Sequence, residues 1–305
     1  MRTIVRIHFG APTVPLAQER LRAADCGPDV ATIEDVPVMR QAFAEVTLEH
    51  TDPRVPVLLG QLKRDDVNFG EWHEDRFTEE EMESAPLLLM KPNRGCEVDG
   101  GVAWGTTFDR TKGCPACATG SPQTSALFIE GEDIPKLEGH HAAETYFWHI
   151  LVDEGLAAAL EDAAVTGLSF RSVYGVMKDK RQVKLRWKQL CTDNILPRMS
   201  PSTTGIVRVD QTPILRPCEI CGRNGFLTTS DAPTRIAYRA ADLRGALDVN
   251  QSWENYWSAH IDTDFRESVL SRPWTLVTPR VYRIFREAGV TEFDWHPIRV
   301  DGTAP

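Results

Sequence analysis

No stretch of this 305-residue sequence approaches the roughly 20 consecutive apolar residues that span a bilayer. Its longest apolar runs, 86–90 and 146–152, are short, so a membrane helix is excluded as an expectation. A leader is not expected either: Arg6 and His8 interrupt the first apolar run, and Ile4, Val5, Ile7 and Phe9 suit a strand better. A cytoplasmic protein is the resulting expectation. Basic residues are also in deficit, 34 Lys and Arg against 44 Asp and Glu, a formal charge of −10. Nucleic-acid affinity rests on cations that neutralise phosphates, so this balance disfavours a general nucleic-acid binder and suits a basic protein partner. Motifs of catalysis are scarce. There is no Gly-rich phosphate loop ending in Lys-Ser/Thr, no HExxH and no GxSxG. A non-enzymatic protein is expected.

Hydrophobic residues nevertheless make up 42% of the chain, enough for a sizeable core. The seven cysteines are an odd number. In a chain this long and in a reducing compartment, paired cysteines point to metal or redox chemistry rather than disulfide staples. Two pairs have CxxC spacing: Cys114 and Cys117 in GCPAC, and Cys218 and Cys221 in PCEICG. Two such knuckles supply the four soft ligands of a tetrahedral structural zinc ion. The 100 residues between the pairs, 118–217, far exceed the roughly 15–20 of a compact zinc ribbon, so the site must close through tertiary structure. A redox motif is the rival reading. Such motifs open a helix whose N-terminus stabilises the thiolate, whereas ATGSPQTS and GRNGF follow these pairs. Cys26 and Cys191 are expected to be buried thiols, and Cys96 remains an alternative ligand beside the first pair.

An internal repeat is the second signal. After a one-residue slip at the start, residues 148–174 and 274–300 align at a constant offset: Leu151-Val152 with Leu276-Val277, Leu160 with Phe285, Ala163 with Ala288, Val165-Thr166 with Val290-Thr291, and Phe170 with Trp295. Each copy has the pattern strand, helix, strand, with apolar residues at helical spacing in the middle. Each follows a cysteine pair. The expected fold is α+β: two related zinc-knuckle and strand–helix–strand units at 101–190 and 191–305, with mainly antiparallel sheet. A divergent N-terminal α+β region at 1–100 precedes them.

Other clusters have plainer expectations. His140, His141 and Glu144 could hold a metal, but adjacent histidines in a Gly-flanked loop more often face water. His149 and His296, inside the repeat, are expected to be satisfied structural histidines. The alternating strand at 182–190, with Lys184, Arg186 and Lys188 on one face, forms a basic patch with Lys178, Lys180 and Arg181. It is the basis of an alternative reading as a zinc-ribbon adaptor or nucleic-acid binder. The acidic run 71–83 carries Glu71, Glu74, Asp75, Glu79, Glu80, Glu81 and Glu83 against Arg76 alone. These carboxylates are candidate contacts for a basic partner, with a solvated charged face as the plain alternative.

The C-terminal third resembles the double-CxxCG immunity proteins of bacterial toxin systems. The likeness rests on PCEICGRNGF at 217–226, the polar and aromatic stretch at 253–265, and PWTLVTPRVYRIFREAGVTEFDWHPIRV at 273–300. GCPAC and the copy at 148–174 match more loosely, and VTGLSFRSVY is similar to the ending of a second immunity family. The resemblance covers about 113–176 and 210–300 and implies a cytoplasmic, non-enzymatic protein that neutralises a cognate toxin. By charge, a basic toxin such as a nuclease would suit it. Ala118 stands where the family pattern has Gly after the pair. A left-handed turn would be strained there, so the first knuckle is expected to shift, with Gly120 taking the turn.

Overall fold

The computed structural model describes residues 1–93, 95–208, 217–229, 232–256 and 272–302. The chain forms two compact units, Met1–Thr78 with Thr228–Thr234, and Glu79–Leu227 with Arg235–Pro305. Helices and mostly antiparallel sheets occur in both, so the fold is α+β.

The first unit runs β1 (Arg2–Ala11), α1 (Val14–Ala23), β2 (Ala31–Val36), β3 (Gln41–Glu49), α2 (Arg54–Arg64) and β4 (Phe69–Arg76). Its sheet order is β2-β3-β1-β4, with each neighbouring pair antiparallel. This is the β-α-β-β-α-β, ferredoxin-like arrangement. Alternation in β1 buries Val5, Ile7, Phe9 and Ala11 against Leu21 of α1 and Leu58 and Leu62 of α2. Pro12 precedes α1 and Pro15 lies within it. Thr13 caps α1, its Oγ1 accepting from the Leu16 N–H at 3.4 Å, and Pro15 sits in the first turn, where a missing N–H costs nothing.

The second unit contains α3 (Glu79–Ser84), β5 (Leu88–Pro92), β6 (Glu97–Val98), β7 (Leu127–Glu130), β8 (Ala142–Thr145), β9 (Ile150–Asp153), α4 (Glu154–Asp162), β10 (Ser169–Val176) and β11 (Gln182–Cys191). Short strands β12 (Ile206–Arg208), β13 (Phe226–Thr228) and β14 (Ala237–Arg239) follow. Then come β15 (Val249–Tyr256), β16 (Arg272–Val277), α5 (Pro279–Glu287), β17 (Phe293–Pro297) and β18 (Arg299–Asp301). Two sheets carry it, ordered β6-β8-β9-β11-β10-β7 and β15-β16-β5-β17.

The repeat is present in three dimensions. β9 and β10 both pair antiparallel with β11, which lies between them; β16 and β17 flank β5 in the same way. The registers agree residue by residue. Gln189 faces Leu151 and Arg171, and Leu89 faces the equivalent Leu276 and His296. Leu190 faces Ile150 and Phe170, and Met90 faces Thr275 and Trp295. Outside them, β8 pairs with β9 as β15 pairs with β16.

The helices match as well. Asp153 and Thr278 are the N-cap residues, and Leu156, Ala157 and Leu160 are buried like Val281, Tyr282 and Phe285. Both helices end in the same turn. The Val165 N–H donates to Leu160 O at 3.1 Å and the Val290 N–H to Phe285 O at 3.0 Å, around left-handed Ala164 and Gly289.

The expected domain boundaries move for one reason. Leu88–Pro92 is the middle strand of the second copy, so the first unit closes at Thr78 instead of near residue 100. The two copies are also not separate domains at 190. One core contains Val152, Leu156 and Leu160 together with Val277, Val281 and Phe285. Burying each such side chain contributes about 1.5–3 kcal/mol, so neither copy keeps its apolar face dry alone.

Candidate metal centre

The two knuckles have the same backbone. After Cys117, the Ala118 N–H donates to Cys114 O at 2.7 Å; after Cys221, the Gly222 N–H donates to Cys218 O at 2.9 Å. Both following residues are left-handed, Ala118 at φ 53° and Gly222 at φ 66°. The first knuckle is therefore not shifted onto Gly120, although Gly120 also has positive φ. Ala118 takes the turn and bears the strain, its N–H closing onto Cys114 O while its carbonyl accepts from the Ser121 N–H at 3.0 Å and Oγ at 2.6 Å. A left-handed L-residue costs roughly 1–2 kcal/mol. Ala118→Gly is accordingly expected to raise stability by about 0.5–1 kcal/mol after the added unfolded-state entropy of Gly. Denaturant unfolding measures this, and an unchanged or lowered midpoint would show that the turn is unstrained.

These turns bring four thiols together. The Sγ atoms of Cys114, Cys117, Cys218 and Cys221 all lie within 4.8 Å of one another and could hold a metal ion. Cys114 and Cys218 are 3.8 Å apart, and Cys117 and Cys221 are 3.5 Å apart, beyond the ~2.05 Å of a disulfide. Burial pushes the Cys117 and Cys221 thiols up. It acts on Cys114 too, but the N–H groups of Ala116 and Cys117 and the neighbouring thiols bring that group down to about 7. A bound cation would offset the cost of ionising the buried thiols.

Outer contacts hold the second knuckle. Asn224, fully buried, accepts the Cys218 N–H at 2.6 Å. Arg223 Nε donates to Trp253 O at 3.1 Å, and the Arg198 guanidinium sits 4.0 Å from the Trp253 ring centroid. In the first knuckle Thr119 Oγ1 lies 3.1 Å from Cys117 Sγ. Of the stretch 253–265 that carries part of the family likeness, residues 257–265 lie outside the described residues.

The other cysteines stay apart from this cluster. Cys96 is buried, its thiol 3.4 Å from Lys136 O and pushed up to about 11 by burial. Cys26 lies in the core of the first unit. Cys191 is only partly buried, at the end of β11, and burial pushes it up to about 11.

The histidines take separate partners. His140 Nδ1 lies 2.5 Å from Glu292 Oε1, and His141 Nδ1 lies 2.8 Å from Asp153 Oδ2. They do not converge with Glu144 on one ion. His149 is buried, with Nε2 accepting from Arg272 Nη2 at 2.6 Å and Nδ1 at 2.9 Å from Thr145 Oγ1. Accepting at Nε2 makes it a neutral imidazole with its proton on Nδ1. Burial and the Arg272 charge both hold its pKa well below the usual value.

The acidic run is not one continuous element. Glu71, Glu74 and Asp75 belong to β4 in the first unit; Glu79, Glu80, Glu81 and Glu83 belong to α3 in the second. Asp75 is buried and accepts from Thr3 Oγ1 at 2.6 Å, Glu71 pairs with His73, and Glu74 pairs with Arg6. Glu79 accepts from Tyr282 and Arg286, and Glu83 from Arg283 at 3.2 Å. Much of the charge thus serves internal pairs. The basic strand is similarly compensated: Lys178 pairs with Glu132 at 2.5 Å and Arg186 with Glu154 at 3.0 Å.

No helix among the described residues is long and apolar enough to cross a membrane. No protein-family model matches the chain, and no curated protein matches it.

Proposed function

We propose that this chain is an immunity protein that neutralises a cognate bacterial toxin by binding it in the cytoplasm, without catalysis, on a scaffold tied by one structural zinc ion. The observation that carries the reading is the convergence of the two CxxC pairs. They are the motif on which the likeness to double-CxxCG immunity proteins rests, and they meet as one four-thiol site in a unit built from two matched copies. Zinc suits that site. A tetrahedral ion with Zn–S bonds of about 2.3 Å needs Sγ atoms about 3.8 Å apart, and the two cross-knuckle pairs lie at 3.8 and 3.5 Å. Four thiolates with no open position form the structural class of zinc site. An acidic protein of charge −10 suits a basic toxin such as a nuclease, which opposite fields would steer into contact.

The test is co-expression with the toxin encoded beside it. Rescue of growth and co-purification of the pair are expected. A toxin that still kills, or that does not co-purify, would sink the reading. A salt-sensitive gel shift with DNA or RNA would favour the nucleic-acid alternative instead.

A further inference from the structure

Arg171, Arg223 and Arg272 line one cleft of about 330 Å³ in the second unit, and among the described residues that line it Asp193 is the one carboxylate. In a protein with an acidic excess, that is a local balance of two positive charges. Neither Arg171 nor Arg223 makes an ion pair among the described residues. His149, neutral in its bond from Arg272, adds no charge.

The cleft lies where the two copies meet. Equivalent residues line it from both sides: Ile150 with Thr275, and Trp148 with Pro273. The copies differ in what they place beside it. Arg171 and Gln189 occupy the register positions that the second copy fills with the buried His296 and Leu89. Gln189 is itself buried, but Arg171 is only half-buried where the second copy buries His296, and a half-buried guanidinium at the join of two copies suits a binding surface more than a core. Gln189 is held by reciprocal amide bonds to Gln123 at 2.8 and 2.9 Å. Trp148 is left-handed at φ 60°, an unusual conformation for a bulky residue, and stacks 4.0 Å from Tyr256.

We infer that this cleft binds a small organic phosphate monoester. The phosphate would lie against the guanidiniums, and the organic part against Phe108, Trp148 and the amides of Gln251 and Asn255. A phosphate monoester carries about −1.5 to −2 at neutral pH, matching the cleft's balance. Guanidiniums grip phosphate through paired N–H donors. The volume falls at the lower end of ordinary small-ligand pockets. The inference does not rest on toxin binding, and either can fail without the other.

The test is calorimetry and thermal melting of the full chain with a nucleoside 5′-monophosphate, the neutral nucleoside and inorganic phosphate. The monophosphate is expected to bind and raise the melting temperature, and the nucleoside to do neither. Arg171→Gln should weaken binding roughly ten- to a hundredfold, and Arg186→Gln, on the outer face of β11, should not change it. Inorganic phosphate binding with the same Arg171 dependence would support the anion site. No binding of either phosphate at millimolar concentration, equal binding of the nucleoside, or full binding by Arg171→Gln would overturn the inference. Should Arg171→Gln not fold, the wild-type panel alone decides.

Discussion

Cys218→Ser is expected to release the metal and to lower the stability of the second unit by about 4 kcal/mol. The physical reason is the length of chain the site closes. Residues 118–217, one hundred in number, lie between the two knuckles. In the chain-entropy account, a cross-link over a loop of that length removes roughly 4.7 kcal/mol of freedom from the unfolded state, and a four-ligand ion acts as such a cross-link. Metal analysis and denaturant unfolding measure the two halves of the expectation. A chelator should move the wild type toward the variant and leave the variant unchanged. Cys96→Ser should keep the metal, because that thiol sits near Lys136 O and outside the cluster. A Cys218→Ser protein with full metal content or unchanged stability would refute the four-thiol site.

Phe285→Ala is expected to cost ~4 kcal/mol, and Leu160→Ala ~3 kcal/mol, measured by denaturant unfolding of the full chain. Both residues are fully buried at equivalent places in α5 and α4, and both belong to the core that the two copies share. Truncating a large buried side chain loses its transfer energy and leaves a cavity. A shared core adds a sharper consequence. Residues of one packed cluster couple, so the double variant should depart from the sum of the single losses by ~0.5 kcal/mol or more. Strict additivity, or a transition in which only one copy melts, would mean that the two copies have separate cores.

Much of the repeat was legible because its signals are local. Helical spacing of Leu156 and Leu160, or of Val281 and Phe285, names the buried face of each helix before any packing is known. The knuckles were legible for the same reason, since a CxxC turn closes on itself. Ala118 is the exception. Residue preference pointed to Gly120, but the knuckle closes through the Ala118 N–H onto Cys114 O, so the residue directly after the pair takes the strained turn.

That the strand around Leu88–Pro92 is the middle strand of the second copy was not legible. Leu88, Leu89 and Met90 are all buried, an apolar run without alternation that says only that both faces are covered. Nothing in it names β16 and β17 as neighbours, since strand pairing joins residues far apart in the chain. The acidic run shows the converse. Its composition suggests one surface, whereas β4 and α3 divide it and tie Asp75 and Glu79 to partners elsewhere in sequence.

The sequence by itself determined the two helix-bearing units, their correspondence and the identity of the four thiols, because each depends on residues within a few turns of one another. Tertiary structure alone decided that the thiols meet, that the copies share one core and complete their sheets with strands of different origin, and that three arginines line one cleft. Those are long-range contacts. Their loop-closure cost is met only by the whole fold, so no local pattern encodes them.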